Sequence, residues 1–359
     1  LCRTKLETQN AIHIKAAAGT GKTFVGLHLM LERLRDHKAV LFVACTEGLV
    51  LFVAKWLWQR AQSDAERESW LGRVHWLRAG GHVQEVHWGT AVEQGRLVLQ
   101  AAGHLEYSLA VVDEAHHMSI SQLTAVRALL PESSQLVYLS DSSQCADHPQ
   151  LPVADAALTQ VVRSTQRIVA GAMHFQRCGD TLDRSHCLHE GPPLKPFLFD
   201  GPGDMPAFAA HTVKALEELA TMFDSLQLHD RVAILVPSEQ FRNQLCDQLE
   251  AAVAQSERLE PRRLKFVRAA EASAIVRVGR RGGEACVVLD SLDEFDGLER
   301  LLVIAVGLDH AVEGGSCSVL YRAITRAQMM FMAVDRRLAG AAVLLVCAPG
   351  VCFWCVLLV

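Results

Sequence analysis

The 359-residue chain has no glycine or proline repeat. Its 24 Gly and 11 Pro are ordinary numbers without a period, which excludes collagen-like and fibrous designs. It has no excess of positive charge. With 35 Lys and Arg against 40 Asp and Glu, the formal net charge is -5, so coating nucleic acid by bulk charge is excluded. Any nucleic-acid partner must be held by a local groove. Nor does the chain lack apolar residues, as disordered chains do: half of it is hydrophobic and 21% charged, a globular composition. No N-terminal segment shows the charged-then-apolar pattern of a signal peptide, and eleven Cys are scattered along the chain. A reduced intracellular setting, nuclear or cytoplasmic, is therefore expected. The first residue is Leu1 rather than Met, as in a fragment, so further domains or protein partners outside it are expected.

Charge disappears from Leu338 to Val359, a run long enough for a membrane-spanning helix with Arg336 and Arg337 at its edge. Pro349-Gly350 interrupts the run, which argues against a membrane anchor, with a buried terminal strand or a mistranslated tail as the other readings. At roughly 150 residues per domain, the length predicts two domains, each able to bury a core. Short aliphatic runs alternate with helical periods, the pattern of βα units on a parallel sheet. Strands are predicted at Ala11 to Ile14, Ala39 to Cys45, Leu109 to Val112 and Leu136 to Leu139, then at Val232 to Val236, Ala285 to Leu289, Leu301 to Val306 and Met329 to Val334. Phe24, Leu27, Leu31 and Leu34 fall on one face of a predicted helix. Cys178 to Pro206 holds five Pro and reads as a connector. The expected division is a first domain at 1–177, the connector at 178–206, a second domain at 207–337 and the tail at 338–359.

Ala16-Ala-Ala-Gly-Thr-Gly-Lys-Thr23 follows an apolar strand and opens an apolar-periodic helix, the context a phosphate-binding loop requires. Gly19 and Gly21 allow the tight path on which the amides of Ala17, Ala18, Gly19, Thr20 and Gly21 approach phosphate oxygens. Lys22 would neutralise the β- and γ-phosphates, and the Thr23 hydroxyl would ligate Mg2+. Ala16 stands where the usual pattern begins with Gly. Ninety-one residues after Lys22, the apolar run Leu109 to Val112 ends in Asp113-Glu114-Ala115-His116-His117. At the carboxyl end of a strand in an open α/β sheet this lines the ligand crevice. Asp113 would hold the magnesium, directly or through water, and Glu114 would act as general base on a water. Loop and acidic pair together predict hydrolysis of a nucleoside triphosphate rather than mere binding.

Downstream segments add a family resemblance. Leu139-Ser-Asp-Ser-Ser-Gln144 ends the next strand, with Gln144 placed to sense the γ-phosphate. Leu158-Thr-Gln-Val-Val-Arg-Ser-Thr-Gln-Arg-Ile168 resembles the Tyr-Arg-Ser-Thr segment of the UvrD/Rep family of superfamily 1 helicases, which implies that Arg163 reaches the γ-phosphate. A guanidinium suits that task because its fork binds phosphate oxygens bidentately and keeps its charge. Asp290-Ser-Leu-Asp-Glu-Phe-Asp-Gly-Leu-Glu299 is similar to the family's Lys-Gly-Leu-Glu segment, implying that Glu299 approaches ribose or triphosphate. Leu320-Tyr-Arg-Ala-Ile-Thr-Arg-Ala-Gln328 resembles the last motif, Val-Thr-Arg-Ala, implying that Arg326 is a second arginine finger. The fold so implied is α/β, two tandem RecA-like P-loop NTPase domains with parallel sheets. The resemblance spans about residues 11 to 335 and leaves no room for large accessory domains, so the chain looks closest to the compact helicase-like ATPase domain of the Schlafen group and the bacterial DUF2075 proteins.

Such motors bind a single strand of DNA or RNA across both domains. Cys45-Thr-Glu47 resembles the family's first strand-contact motif, so Thr46 is a candidate phosphate contact, as is Thr90 in Gly89-Thr90. Between Arg262 and Arg281, seven Lys or Arg face one acid, Glu271, as a groove rim or a solvated face would. Five Trp between Trp56 and Trp88 are expected in core and helix packing. Cys145 to Pro149 lacks the aromatic that family members place after the sensor glutamine, which puts base stacking, and with it unwinding, in doubt. Cys178, His186, Cys187 and His189 have no standard zinc spacing. A nucleotide-dependent switch without unwinding activity is the alternative reading.

Overall fold

The computed structural model describes residues 6, 9–88, 95–103, 105–141, 143–144, 153–158, 160–175, 189–200, 203–276, 285–308, 317–336, 342–348 and 351–357. The first sheet is built from β1 (Ala11–Ala16), β2 (Ala39–Ala44), β3 (Val74–Arg78), β4 (Val83–Trp88), β5 (Leu97–Ala101), β6 (Tyr107–Val112), β7 (Gln135–Asp141) and β8 (Ala154–Leu158). Its spatial order is β5-β4-β3-β2-β6-β7-β1-β8. All pairings from β3 to β8 are parallel, and only β4 and β5 run antiparallel to their neighbours. Helices α1 (Lys22–Arg35), α2 (Glu47–Arg60), α3 (Asp64–Leu71) and α4 (Ile120–Ala128) connect these strands.

The central strands are apolar at nearly every position because the sheet is covered on both faces. Strand β2, Ala-Val-Leu-Phe-Val-Ala, is buried from Val40 onward, and its Leu41 and Val43 face one cluster while Val40 and Phe42 face another. Helix α1 buries Leu27, Met30, Leu31 and Leu34, the stripe expected from its period, although Phe24 stays exposed. Helices α2, α3 and α4 begin at Thr46, Ser63 and Ser119, whose side chains cap free amides of the first turn; Ser119 and Gln122 form a capping box. Of the tryptophans, Trp58, Trp70 and Trp76 are buried and Trp58 stacks on Trp88 at 4.2 Å, so they are packing residues.

Helix α5 (Gln166–Met173) leads to the second sheet, made of β9 (Lys195–Phe199), β10 (Val232–Val236), β11 (Leu264–Val267), β12 (Ala285–Ser291), β13 (Arg300–Val306) and β14 (Ala327–Arg336). All its pairings are parallel, in the order β11-β12-β10-β13-β14-β9, with helices α6 (Met205–Met222), α7 (Glu239–Ala254), α8 (Ala269–Ala274) and α9 (Cys317–Thr325) between them. Edge strand β9 lies inside the segment read as a connector. The two tandem parallel α/β units are the RecA-like arrangement expected from the sequence. The apolar tail forms an antiparallel hairpin, β15 (Ala342–Ala348) and β16 (Val351–Leu357). Among the described residues no helix is long and apolar enough to cross a membrane.

The two units are packed together. The largest apolar cluster runs through both, bringing Leu49 and Val53 of α2 into one core with Ala269, Phe295 and Leu298. Gly297 has φ +80°, and a Cβ there would lie 2.5 Å from the Leu49 side chain, so the close approach needs glycine twice over. At the far edge Val276 N donates to Gly95 O at 2.8 Å, so the second unit adds a bridge to the first sheet.

Candidate nucleotide site and nucleic-acid groove

The candidate phosphate loop joins β1 to α1. Gly19 and Gly21 have φ of +77° and +90°, and a Cβ on Gly19 would lie 3.1 Å from Val161. Gly21 caps α1 without a side-chain acceptor, so the amides of the first turn are left to face the loop's interior. Thr20 Oγ1 donates to Ala17 O at 2.8 Å and holds the turn. Lys22 is buried, with Nζ donating to Ala16 O at 3.0 Å and Ala17 O at 3.1 Å, so its charge is kept within the loop.

Strand β6 delivers Asp113 and Glu114 to this loop. Thr23 Oγ1 donates to Asp113 Oδ2 at 2.8 Å. Two hard oxygens this close, one on a fully buried carboxylate, are a donor set that would fit a magnesium ion. Burial, then the neighbouring Glu114, raises the Asp113 pKa, while the Thr23 hydroxyl and Lys22 act in the opposite sense. Glu114 sits at φ +51°, in the left-handed region. Burial alone would raise its pKa, but His116, Lys22, Arg326 and His117 together lower it. Burial also lowers the His116 pKa to about 4, so near neutral pH Lys22 and Arg326 supply the charge that keeps Glu114 ionised. Glu114 Oε2 is buried and makes no hydrogen bond, with His116 Nδ1 3.5 Å away.

His116 is the hinge of a small circuit. The Asp141 amide donates to its Nδ1 at 3.3 Å, which puts its proton on Nε2, 3.4 Å from Gln144 Oε1. Gln144 Nε2 in turn donates to Asp141 Oδ2 at 2.8 Å. Gln144 is thereby held in the same unit as Glu114.

Both arginines of the resemblance reach this cleft. Arg326 Nη1 lies 3.8 Å from Glu114 Oε1, bringing the second unit to the acidic pair of the first. Arg163 pairs with Glu299, and its guanidinium carbon lies 5.9 Å from the centre of the Phe24 ring beside Thr23. Burial, then Arg326, lowers its pKa to about 10, while Asp113 and Glu114 act in the opposite sense, so it remains charged at neutral pH. Lys22, Thr23, Asp113, Glu114, Gln144, Arg163, Glu299 and Arg326 are therefore joined by one chain of contacts and electrostatic neighbours, Gln144 through His116.

Thr46 lies elsewhere. It is buried, caps α2 at Leu49 N and donates to Asp296 O at 3.3 Å, so its hydroxyl faces the second unit. Near it opens a groove of about 680 Å³ between the units, with Arg78, Gln84 and Arg96 on one wall, Arg268 and Asp290 on the other, and Glu47 and Glu294 at the seam. Arg268 pairs with Glu239 at 2.6 Å and Arg78 lies 3.7 Å from Glu294, whereas Arg96 is exposed. Of the basic run, Arg262 donates to the carbonyls of Ala220, Asp224 and Leu226 and is structural. Thr90, Arg277, Arg280, Arg281, Cys145 to Pro149, Cys178, His186 and Cys187 lie outside the described residues. Among the described residues no group of three His, Cys, Asp or Glu is arranged to hold a metal.

Sequence reading missed three participants. Arg322 pairs with Asp293 at 2.7 Å and also with Asp296, which lies 3.4 Å from His117. Tyr321 sends its hydroxyl to the phosphate loop. Their signal was their place inside or beside the segments that carry Arg326 and Glu299; nothing local assigned them partners.

A protein-family model described as type III restriction enzyme, res subunit, matches residues 2–140, which makes this part of the chain helicase-like. No curated protein matches the chain. Among solved structures, the C-terminal domain of a possible DNA helicase from Lactobacillus plantarum WCFS1 is 15% identical, with a TM-score of 0.32 over 49% of this chain and 87% of that one.

Proposed function

We propose that the chain is an ATP-dependent helicase-like ATPase of superfamily 1 type, compact in the Schlafen manner, acting on single-stranded DNA or RNA. The observation that carries this reading is the meeting of Arg326 from one unit with Glu114 from the other, beside Lys22. ATP would lie with its phosphates on the amides from Ala17 to Gly21 and on Lys22. Thr23 and Asp113 would hold Mg2+, which when bound would offset the charge of the phosphates. Glu114 Oε2 accepts a proton from a water whose oxygen bonds to the γ-phosphorus as the bond to the β-phosphate oxygen breaks, leaving ADP and phosphate. Arg326 and Arg163 stabilise the charge that develops on the transferring group, and an arginine from the second unit acts only when the cleft is closed. Gln144, tied to Asp141 and His116, positions the water or the terminal phosphate.

The groove containing Arg78, Arg96 and Arg268 is the proposed path of a single strand, running past the segment capped by Thr46. Its mixed charge, with Glu47, Glu271, Asp290 and Glu294 facing three arginines, favours a second reading as a nucleotide-dependent switch whose grip on nucleic acid is weak. ATP turnover measured with and without single-stranded DNA and RNA separates the two. Stimulation of tenfold or more supports the motor, unstimulated turnover supports the switch, and no turnover in the presence of magnesium refutes the ATPase.

A further inference from the structure

Helix α9 enters the first unit with Tyr321 as well as with Arg326 just past its end. The Tyr321 ring is fully buried, and its hydroxyl accepts a hydrogen bond from the Ala18 amide of the phosphate loop at 3.4 Å. It also bonds the Ser143 hydroxyl. Ser143 lies just past β7, where its amide donates to Asp141 Oδ1 at 2.8 Å, and Asp141 holds Gln144 through its other oxygen. One phenol thus touches the phosphate loop, the sensor segment and the arginine helix. Burial, then the charge of Asp141, raises its pKa, so the hydroxyl keeps its proton. A phenylalanine would fill the same space without the cost of burying a hydroxyl, so packing alone does not account for the group.

We propose that Tyr321 is a positioning residue that makes the seating of Arg326 depend on the state of the phosphate loop and the Gln144 segment. This rests on the reading of the cleft as an ATPase site. Tyr321 and Arg326 stand little more than one helical turn apart, so a movement of α9 that parts the phenol from Ala18 also withdraws the guanidinium from Glu114. The Ala18 amide belongs to the loop that faces the terminal phosphates. Arrival or loss of the γ-phosphate changes what that amide faces, and the phenol carries the change across the domain boundary.

Tyr321→Phe removes the link and keeps the ring. Binding of a fluorescent non-hydrolysable ATP analogue is expected within about twofold of wild type, whereas kcat falls at least about tenfold with KM changed less than about threefold. Adding Tyr321→Phe to Arg326→Ala is expected to lower kcat no further, because both act through one movement. In amide hydrogen exchange, the analogue should slow the segment 317–326 in the wild type and not in Tyr321→Phe. A normal kcat, or losses that multiply in the double variant, overturns the proposal. If the wild type binds the analogue without turnover, the ATPase reading fails alone, and the exchange comparison still decides: equal protection in both proteins sinks the role of Tyr321. Should Tyr321→Phe not fold, Ser143→Ala breaks the same link from the other side and is judged by the same measurements.

Discussion

At the residue scale, the role of base proposed for Glu114 depends on its surroundings. Two cations keep it ionised in a buried place, and Oε2 has no hydrogen-bond partner. Glu114→Gln is expected to bind ATP normally and lose at least about 100-fold in turnover, the usual contribution of a general base; turnover within about threefold of wild type in a steady-state assay would rule the role out. Arg326→Ala is expected to cost about 1,000-fold in kcat, as loss of an arginine finger does, with little change in nucleotide affinity. His116 offers a test by pH. Its pKa falls from 6.5 unfolded to about 4 folded, so between those values the unfolded chain binds more protons. Stability is then complete above pH 6.5 and declines as pH falls toward 4, by on the order of 3 kcal/mol in full. Denaturant unfolding across this range in His116→Asn should show that slope flattened.

At the element scale, strands and helices follow from local pattern, and their ends from side chains that can be read one at a time. The predicted strands all exist, and the caps at Ser63, Ser119 and Asp204 sit where Ser or Asp precedes a helical period. Strands β4 and β5 were not legible because each buries few positions at the sheet's edge, so neither a continuous apolar run nor a strict alternation appears. Ser119→Ala is expected to cost about 1 kcal/mol in thermal or denaturant unfolding, and Trp76→Ala about 3 to 5 kcal/mol, both without a change in KM for ATP. The contrast lies in burial: the cap is on the surface, whereas Trp76 packs on Phe42 with ring centres 5.7 Å apart inside the first sheet.

At the scale of the whole molecule, the site is a property of two units pressed together. Asp296 gathers Arg322, His117 and Thr46 at the seam between the nucleotide cleft and the groove. Binding of a single-stranded oligonucleotide should weaken with salt. Replacing Arg78 and Arg96 by Ala is expected to reduce the slope of log K against log salt by about 0.7 for each phosphate that the arginine had neutralised. An unchanged slope would place the strand elsewhere.

The phosphate loop, the acidic pair and the succession of βα units were determined by the sequence alone, because each depends on residues adjacent along the chain: glycines that permit a turn, a carboxylate at a strand end, a period of two or near four. Which arginine meets which acid was decided only by tertiary structure. The pairing of Arg163 with Glu299, the burial of Thr46 against Asp296 and the reach of Tyr321 to Ala18 join positions more than a hundred residues apart. Such contacts are fixed by how two sheets pack, and no local periodicity encodes a distance across that interface.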